Sequence, residues 1–234
     1  MFIVGGLQKT TLLDFPKKIA AIVFTQGCNF RCGYCHNPEL LSFSENNSEQ
    51  KNSLTEEDVL NFLQKRKGKL DGIVITGGEP TLQSGLYDFI KKVKSLNFLV
   101  KLDTNGTNSE ILKKLIDEKF LDYIAMDIKS PIEKYQKITN VNVKTENILK
   151  SIELIKNSGI DYEFRTTVLK SQLKLEDFEE IGKMINGATC YYLQKFVPSK
   201  IYDEKLLTEQ NYTDIEFNQI CEILKKYVNV VEIR

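Results

Sequence analysis

The sequence lacks the features that would place the protein on nucleic acid or in a membrane. Lys and Arg total 32 and Asp and Glu total 32, so the basic excess typical of nucleic-acid-binding proteins is missing. No apolar run approaches the roughly 18 residues needed to span a bilayer. The N-terminal residues also lack the basic region and the long apolar stretch of a signal peptide. These absences predict a cytoplasmic protein without nucleic-acid or membrane partners.

Histidine is scarce, since His36 is the only one among 234 residues. A zinc site of Cys and His ligands would therefore depend almost wholly on cysteine. The five cysteines are an odd number. Three of them lie inside the stretch GCNFRCGYCHNPE and span only eight residues. In a reducing compartment, such clustering favours a metal or catalytic site over disulfides.

The three clustered cysteines, Cys28, Cys32 and Cys35, follow the pattern C-x3-C-x2-C directly after an apolar stretch. Three thiolates do not complete a tetrahedral zinc site, and His36 adjoins Cys35 too closely to serve well as the fourth ligand. A 4Fe–4S cluster held by three thiolates leaves one iron open to another ligand. An open metal position is typical of catalysis, so we predict such a cluster, with zinc or plain thiols as the alternatives.

Apolar runs and amphipathic stretches alternate along the chain, which indicates βαβ units around a parallel sheet. The strands are too few for a complete eight-fold barrel, so an open doubly wound sheet or a partial barrel would fit. The predicted strands are 18–24, 70–77, 98–106, 121–130, 160–170, 189–198 and 228–234, and the predicted helices are 54–68, 82–97, 108–120, 144–159, 175–187 and 212–227.

We interpret residues 1–234 as a single domain with its polar motifs at one edge of the sheet. The motifs TQGC, TGGEP, DTNG, MDIK, RTTV and QKFVP fall at the carboxyl ends of predicted strands, where ligands bind in both candidate architectures. The domain includes a cluster loop at 25–38, a polar and mobile loop at 39–53, and C-terminal elements at 198–234, of which 198–211 is a second predicted loop.

The motifs together resemble the radical S-adenosylmethionine (SAM) superfamily. Its hallmark is C-x3-C-x2-C after the first strand, and GGEP at 77–80 is similar to its motif for the SAM amino group. DTNG at 103–106 and DIK at 127–129 are similar to glycyl-radical-enzyme activases. The stretch from Gly6 to Leu40 resembles in particular the activating proteins of anaerobic ribonucleoside-triphosphate reductases.

The resemblance implies a partial (β/α)6 TIM-like barrel in which SAM chelates the open iron. Reduced flavodoxin or ferredoxin would supply an electron, SAM would be cleaved, and the resulting radical would abstract hydrogen from a glycine of a partner glycyl radical enzyme. One alternative is a radical SAM enzyme with a small-molecule substrate, similar to 7-carboxy-7-deazaguanine synthases. Another is a non-enzymatic electron-transfer or metal-binding module, which would not bind SAM.

The resemblance also implies roles for particular residues. Cys28, Cys32 and Cys35 would bind the cluster. A monovalent cation beside SAM would be held by Asp103, Thr104 and Asp127. The predicted SAM-binding residues are Tyr34, His36, Gly77, Gly78, Glu79, Pro80, Asp103, Thr104, Asn105, Asp127, Lys129, Arg165 and Phe196.

Residue chemistry supports some of these roles and leaves ordinary alternatives for others. Glu79 can accept hydrogen bonds from an ammonium group, and Tyr34 can stack on an adenine. A buried Arg165 requires a carboxylate partner, which SAM or an acidic side chain would supply equally well. Alternatively, GGEP and DTNG are plain turns, and Asp127 and Lys129 form a plain ion pair.

Overall fold

The structure, a computed structural model, describes residues 1–43 and 54–234. The strands are β1 (Val4–Thr11), β2 (Ala20–Thr25), β3 (Gly72–Gly77), β4 (Leu99–Thr104), β5 (Tyr123–Asp127), β6 (Asp161–Val168), β7 (Cys190–Lys195) and β8 (Val230–Ile233). The α-helices are α1 (Glu56–Lys65), α2 (Leu86–Ser95), α3 (Ser109–Asp117), α4 (Tyr135–Thr139), α5 (Thr145–Lys156), α6 (Leu175–Met184) and α7 (Asp214–Leu224). Short 3-10 helices lie at Pro38–Leu40, Pro80–Leu82, Ile132–Lys134 and Glu204–Thr208.

The strands follow chain order in one sheet, from β1 at one end of the order to β8 at the other. β2, β3 and β4 pair in parallel, as do β6, β7 and β8. The predicted α/β fold, an incomplete barrel of mostly parallel strands, is confirmed. The prediction missed β1, since it placed no strand before 18–24. β1 pairs antiparallel with β2. Its sequence, VGGLQKTT, is largely exposed, and an antiparallel edge strand needs no continuous apolar run.

The described residues form two compact units. Unit 1 comprises Met1–Asn29, Glu39–Thr104 and Asn108–Ile124, and unit 2 comprises Phe30–Pro38, Asn105–Thr107 and Ala125–Arg234. The boundary therefore falls within β5 and also inside the loop of three cysteines. The single domain remains a prediction.

The core of unit 1 follows from the apolar character of its central strand. Ile73, Val74 and Ile75 of β3 are at most 1% exposed, as expected for a parallel strand covered on both faces. Helix α1 begins after Thr55, which forms a capping box with Asp58, and its apolar side faces inward. Buried helical residues of this unit are Val59, Leu63, Leu86, Phe89, Ile90, Val93, Leu112 and Leu115.

The core of unit 2 depends on helical stripes packed with buried strand residues. In α5, Ile148, Ile152 and Ile155 recur at helical spacing and are at most 1% exposed. Tyr191 of β7 is fully buried, and its hydroxyl donates to Thr166 Oγ1 at 2.6 Å. Because a buried hydroxyl must find a partner, this bond helps fix the register of β6 and β7.

Several predicted boundaries are wrong. The predicted helix 82–97 is present as the shorter α2 (Leu86–Ser95), and Leu82 instead ends the separate 3-10 helix that begins at Pro80. The predicted loop 198–211 contains the 3-10 helix Glu204–Thr208, and α4 was not predicted. Of the predicted loop 39–53, residues 44–53 lie outside the described residues. No helix in the described part of the chain is long and apolar enough to cross a membrane.

Candidate active site

The backbone before the first cysteine is held in place within unit 1. The Gly27 amide donates to the Leu40 carbonyl at 2.7 Å, and the Cys28 amide donates to the Leu41 carbonyl at 3.2 Å. Gly27 has a φ of 91°, a left-handed conformation that glycine adopts without a steric penalty. Its carbonyl accepts from the Glu79 amide at 2.8 Å. Unit 1 thus attaches the predicted cluster loop directly to the GGEP turn.

The two glycines of GGEP allow this close approach. Gly77 has a φ of 108°. A Cβ atom on Gly78 would lie only 2.0 Å from the Gly27 carbonyl oxygen, which no side chain can tolerate without backbone movement. The Gly78 amide donates to the Thr25 carbonyl at 2.9 Å. Pro80 follows as the first residue of the 3-10 helix, where its missing N–H costs nothing.

Glu79, the acidic residue of the GGEP turn, is buried, with 1% of its surface exposed. Its Oε1 atom accepts from the Thr81 amide at 3.0 Å and from Thr81 Oγ1 at 2.5 Å. Thr104 Oγ1, at the end of β4, donates to the same oxygen at 2.8 Å. Glu79 therefore caps the 3-10 helix, as the simple turn interpretation expects, and joins two neighbouring strand ends. One oxygen of this buried carboxylate thus accepts three hydrogen bonds.

Asp103, also near the end of β4, pairs with a residue that the sequence analysis missed. Lys101 Nζ lies 2.6 Å from Asp103 Oδ1, and the Lys101 side chain is only 2% exposed. The same ammonium lies 5.8 Å from the centre of the Tyr123 ring. A lysine two positions before an aspartate within an apolar strand was the available signal, since such residues share a strand face.

Unit 2 contains the remainder of the DTNG motif, and it forms the turn that Asn-Gly favours. Asn105 Oδ1 accepts from the Thr107 amide at 3.0 Å and from Thr107 Oγ1 at 2.7 Å. Gly106 has a φ of 77°, and its carbonyl accepts from Ser151 Oγ at 2.8 Å. A Cβ atom on Gly106 would lie 2.1 Å from the Met126 methyl group. The predicted role of Asn105 toward SAM stays a prediction.

The second and third cysteines lie in a compact turn of unit 2. The Cys35 amide donates to the Cys32 carbonyl at 3.0 Å, and the Tyr202 amide donates to the Cys35 carbonyl at 3.1 Å. The Gly33 carbonyl accepts from the Asp203 amide at 2.8 Å. The stretch at 202–203, which the sequence analysis treated only as loop, therefore braces the cysteine turn.

The side chain between these cysteines, Tyr34, is only 4% exposed. Within the described part of the chain its hydroxyl has no hydrogen-bond partner of ordinary geometry, although it lies near enough to Cys32 to favour that residue's thiolate. Lys129 Nζ lies 5.8 Å from the centre of the Tyr34 ring. Burial raises the pKa of the Tyr34 hydroxyl well above its ordinary value, so the group remains a donor. Burial also raises the pKa of the Cys32 thiol, and the Lys129 ammonium opposes that shift.

Asp127 is held between two cationic side chains of unit 2. Arg165 Nε lies 2.6 Å from Oδ1, and Lys129 Nζ lies 3.0 Å from Oδ2. Burial favours the protonated acid, but Arg165 and Lys129 outweigh it and lower the pKa of Asp127 far below its ordinary value. Burial likewise disfavours charged Lys129, and Asp127 reverses this effect and raises the pKa of Lys129 well above its ordinary value. The ion pair predicted as the ordinary alternative is therefore present, with Arg165 as a third member.

His36 and Phe196 lie together in unit 2, with ring centroids 6.1 Å apart. His36 Nδ1 is 3.2 Å from Ser199 Oγ, while Phe196 is 1% exposed. Asn211 fixes the Phe196 backbone through two hydrogen bonds. Its Oδ1 atom accepts from the Phe196 amide at 3.1 Å, and its Nδ2 atom donates to the Phe196 carbonyl at 2.6 Å. The buried ring offers an apolar surface beside an exposed imidazole.

The chemistry of the three thiols fits a 4Fe–4S cluster. Cys28, Cys32 and Cys35 are all free cysteines; Cys32 is buried and the other two are partly exposed. Among the described residues no three His, Cys, Asp or Glu side chains are arranged to hold a metal ion. A cluster takes each thiolate on a separate iron, so it does not need such close convergence. The Lys129 ammonium favours the thiolate form of Cys32, which is the form that such a cluster requires.

The chain belongs to the radical SAM superfamily, whose family model matches residues 22–185. A Methanocaldococcus jannaschii protein, provisionally named a glycyl-radical enzyme activating enzyme, is 35% identical over 237 residues, covering 99% of this chain and 95% of that protein. The pyruvate formate-lyase-activating enzyme of Clostridium pasteurianum is 28% identical over 190 residues, covering 78% of this chain and 74% of that one. The predicted superfamily is thus confirmed, and with it an enzyme of the kind that uses a 4Fe–4S cluster and SAM.

Solved structures agree with this assignment at the level of the fold. Streptococcus suis SuiB, crystallised with its precursor peptide SuiA, matches with a TM-score of 0.67 and 14% identity. The match covers 90% of this chain and 47% of SuiB, so this chain spans about half of that protein. At this level of identity the likeness concerns the fold alone.

Proposed function

We propose that the protein uses an open 4Fe–4S cluster and SAM to activate a glycyl radical enzyme. The observation that carries the proposal is the three-cysteine loop. Cys28, Cys32 and Cys35 are free thiols in the spacing C-x3-C-x2-C, and the sole histidine of the chain adjoins Cys35. Three thiolates leave one iron for SAM, and an open position is what catalysis at a metal requires.

Cys28, Cys32 and Cys35 would hold the cluster, which would supply the electron for cleavage of the C5′–S bond of SAM into methionine and a 5′-deoxyadenosyl radical. That radical takes a hydrogen atom from the Cα of one glycine in a partner protein. The products are 5′-deoxyadenosine and a glycyl radical on the partner. Reduced flavodoxin or ferredoxin is the proposed source of the single electron consumed in each turnover.

The residues of unit 1 are proposed to bind the amino-acid part of SAM. Gly77 and Gly78 let the backbone of the turn come close to a neighbouring group. A Cβ atom on Gly78 would lie 2.0 Å from the Gly27 carbonyl oxygen, so only glycine fits there. Glu79 provides a buried carboxylate whose position is fixed by Thr81 and Thr104. Such a fixed acceptor is suited to an ammonium group, since charge-assisted bonds gain most when the geometry is set in advance.

The residues of unit 2 are proposed to bind the rest of SAM. Tyr34, His36 and Phe196 offer aromatic surface for the adenine. Arg165 and Lys129 carry positive charge toward a carboxylate or the ribose hydroxyls, with Asp127 holding both in position. Asn105 shapes a turn of unit 2, and Pro80 shapes the GGEP turn of unit 1.

The partner is proposed from sequence similarity. One relative described above is named for the activation of glycyl-radical enzymes, and the other is named for the activation of pyruvate formate-lyase. The resemblance of the stretch from Gly6 to Leu40 narrows the proposal to an anaerobic ribonucleoside-triphosphate reductase. The chain carries no second cluster of cysteines, since Cys190 and Cys221 stand alone, so one cluster accounts for its proposed iron content.

The test begins with the protein reconstituted anaerobically with iron and sulfide, reduced with dithionite and incubated with SAM. We expect 5′-deoxyadenosine and methionine by chromatography, and none from Cys32→Ala. Cys190→Ala is the matched control, because it removes a half-exposed thiol outside the loop and should leave both products unchanged. A fully loaded and reduced cluster that neither binds nor cleaves SAM would refute the proposal and leave an electron-transfer module.

The partner is tested by adding a purified anaerobic ribonucleoside-triphosphate reductase. We expect a glycyl radical doublet in the electron paramagnetic resonance spectrum, absent when the radical-bearing glycine of the reductase is replaced by alanine. A radical that forms only on another glycyl radical enzyme would keep the activase function and change the partner. Formation of 7-carboxy-7-deazaguanine, without any protein radical, would instead establish the small-molecule alternative.

A further inference from the structure

Lys101 is an unusual residue in the middle of β4. Lysine is almost never fully buried unless it is paired, yet this side chain is 2% exposed. Its ammonium lies 2.6 Å from Asp103 Oδ1, and the Asp103 side chain is itself only 12% exposed. Residues two apart on a strand share a face, so the pairing is built into β4 itself. The Tyr123 ring, 5.8 Å from the ammonium, supplies a further favourable contact for a cation.

The position matters because Asp103 was predicted, with Thr104 and Asp127, to hold a monovalent cation. In unit 1, Asp103 is already paired with the Lys101 ammonium. Thr104 Oγ1 donates a hydrogen bond to Glu79 Oε1. In unit 2, Asp127 is already paired with both Arg165 and Lys129. Each carboxylate of the predicted cation site thus has its own fixed positive charge.

These pairings do not fit a bound metal cation. A cation at Asp103 would have to approach within a few ångströms of the Lys101 ammonium, or displace it into a buried and unpaired state. Like charges repel strongly at such distances when little water separates them. An unpaired buried ammonium is unfavourable for the same reason.

We infer that the Lys101 ammonium provides, at Asp103, the positive charge that a monovalent metal cation would otherwise provide. The inference rests on the proposed binding of SAM. Its consequence is that SAM binding by this protein does not depend on Na⁺ or K⁺. Lys101 is then a positioning residue, which acts on SAM through the orientation and charge of Asp103.

The experiment measures the dissociation constant of SAM with the reconstituted, reduced protein, followed by the change that SAM causes in the electron paramagnetic resonance spectrum of the cluster. The buffers contain choline, Na⁺ or K⁺ chloride at one ionic strength. For the unmodified protein we expect the same Kd in all three. For Lys101→Met we expect a Kd about tenfold weaker in choline, the size of one lost charge-assisted interaction, with recovery in Na⁺ or K⁺.

Two results would overturn the inference. One is a SAM affinity of the unmodified protein that requires Na⁺ or K⁺, which is decisive even if Lys101→Met fails to fold. The other is a folded Lys101→Met protein that binds SAM normally in choline. Lys101→Arg keeps the charge and is expected to remain independent of the metal cation. Absence of SAM binding in every buffer would reject the proposed function itself, whereas cation-dependent binding rejects only the inference.

Discussion

Arg165 Nε lies 2.6 Å from Oδ1 of Asp127, and this short ion pair joins the end of β5 to the middle of β6. The Ile128 amide donates to the Arg165 carbonyl at 2.8 Å, so backbone and side chain fix the same pairing. Lys129 completes the group from the other carboxylate oxygen at 3.0 Å. The charges of the DIK motif are consequently held by their neighbours before any ligand binds.

The first prediction concerns the pH dependence that follows from this pairing. The pKa of Asp127 is lowered in the folded protein, so the unfolded chain binds more protons as the pH falls below the ordinary aspartate value of about 4. The stabilisation is therefore complete above that pH and is lost progressively on acidification. We expect the urea-unfolding midpoint of the cluster-free protein to fall less steeply between about pH 5 and pH 2 in Asp127→Asn.

Asp117→Asn is the control for that measurement. Asp117 pairs with Lys113 on the exposed side of α3, with 57% of its side chain accessible, and exposed pairs contribute little to stability. Its acid profile should match that of the unmodified protein. Equal acid profiles for Asp127→Asn and Asp117→Asn would contradict the prediction.

The second prediction concerns Gly78. An alanine there places Cβ 2.0 Å from the Gly27 carbonyl oxygen, so the backbone before Cys28 must move. We expect Gly78→Ala to lower the free energy of unfolding by about 1–3 kcal/mol, as overpacking usually does, and to reduce iron loading. Gly6→Ala in β1 is matched to it, because its Cβ would have its nearest neighbour at 3.5 Å. Similar losses in both variants would show that the contact with Gly27 is unimportant.

The third prediction concerns the Thr104 hydroxyl, which links the end of β4 to Glu79. Thr104→Val removes the donor 2.8 Å from Glu79 Oε1 but keeps the shape of the side chain. Since Glu79 is 1% exposed, we expect a loss of about 1–3 kcal/mol in chemical unfolding. Thr104→Ser retains the hydroxyl and should lose less. If serine and valine destabilise equally, the methyl group of Thr104 rather than its hydrogen bond is responsible.

The fourth prediction compares two buried tyrosines of unit 2. The Tyr34 hydroxyl has no hydrogen-bond partner among the described residues, whereas the Tyr135 hydroxyl accepts from the Lys129 amide at 3.2 Å. We expect Tyr34→Phe to leave the cluster-free protein as stable or more stable, because no bond is lost and a polar group is no longer buried. Tyr135→Phe should destabilise it by about 1 kcal/mol. Urea unfolding of both variants checks this, and a clear loss for Tyr34→Phe would speak against it.

Much of the fold was predictable because its physical causes are local. The run at 70–77 is apolar and β-branched, as a strand covered on both faces must be, and β3 lies at Gly72–Gly77. The stretch at 54–68 has a capping threonine and an apolar stripe, and α1 lies inside it. β1 was missed because an exposed antiparallel edge strand carries neither signal.

The sequence supplied the candidate site residues and one of their pairings, that of Asp127 with Lys129, but not the other pairings. Close spacing in the chain revealed Cys28, Cys32 and Cys35, and turn chemistry revealed the GGEP and DTNG motifs. Lys101 was missed because a single lysine within an apolar strand is normally explained by solvent exposure. Only the tertiary structure shows that its side chain is 2% exposed, because neighbouring elements of the fold cover it.

By itself, the sequence determined which ligands are available and how they are spaced, because both are covalent properties of the chain. Three thiols in C-x3-C-x2-C and a single histidine disfavour a closed zinc site of Cys and His ligands before any folding is considered. Only the tertiary structure decided which charges meet. Arg165 pairs with Asp127 across 38 positions of the chain, and Thr104 donates to Glu79 across 25. Such contacts depend on strand register, which is set by the packing of many residues together rather than by any short segment.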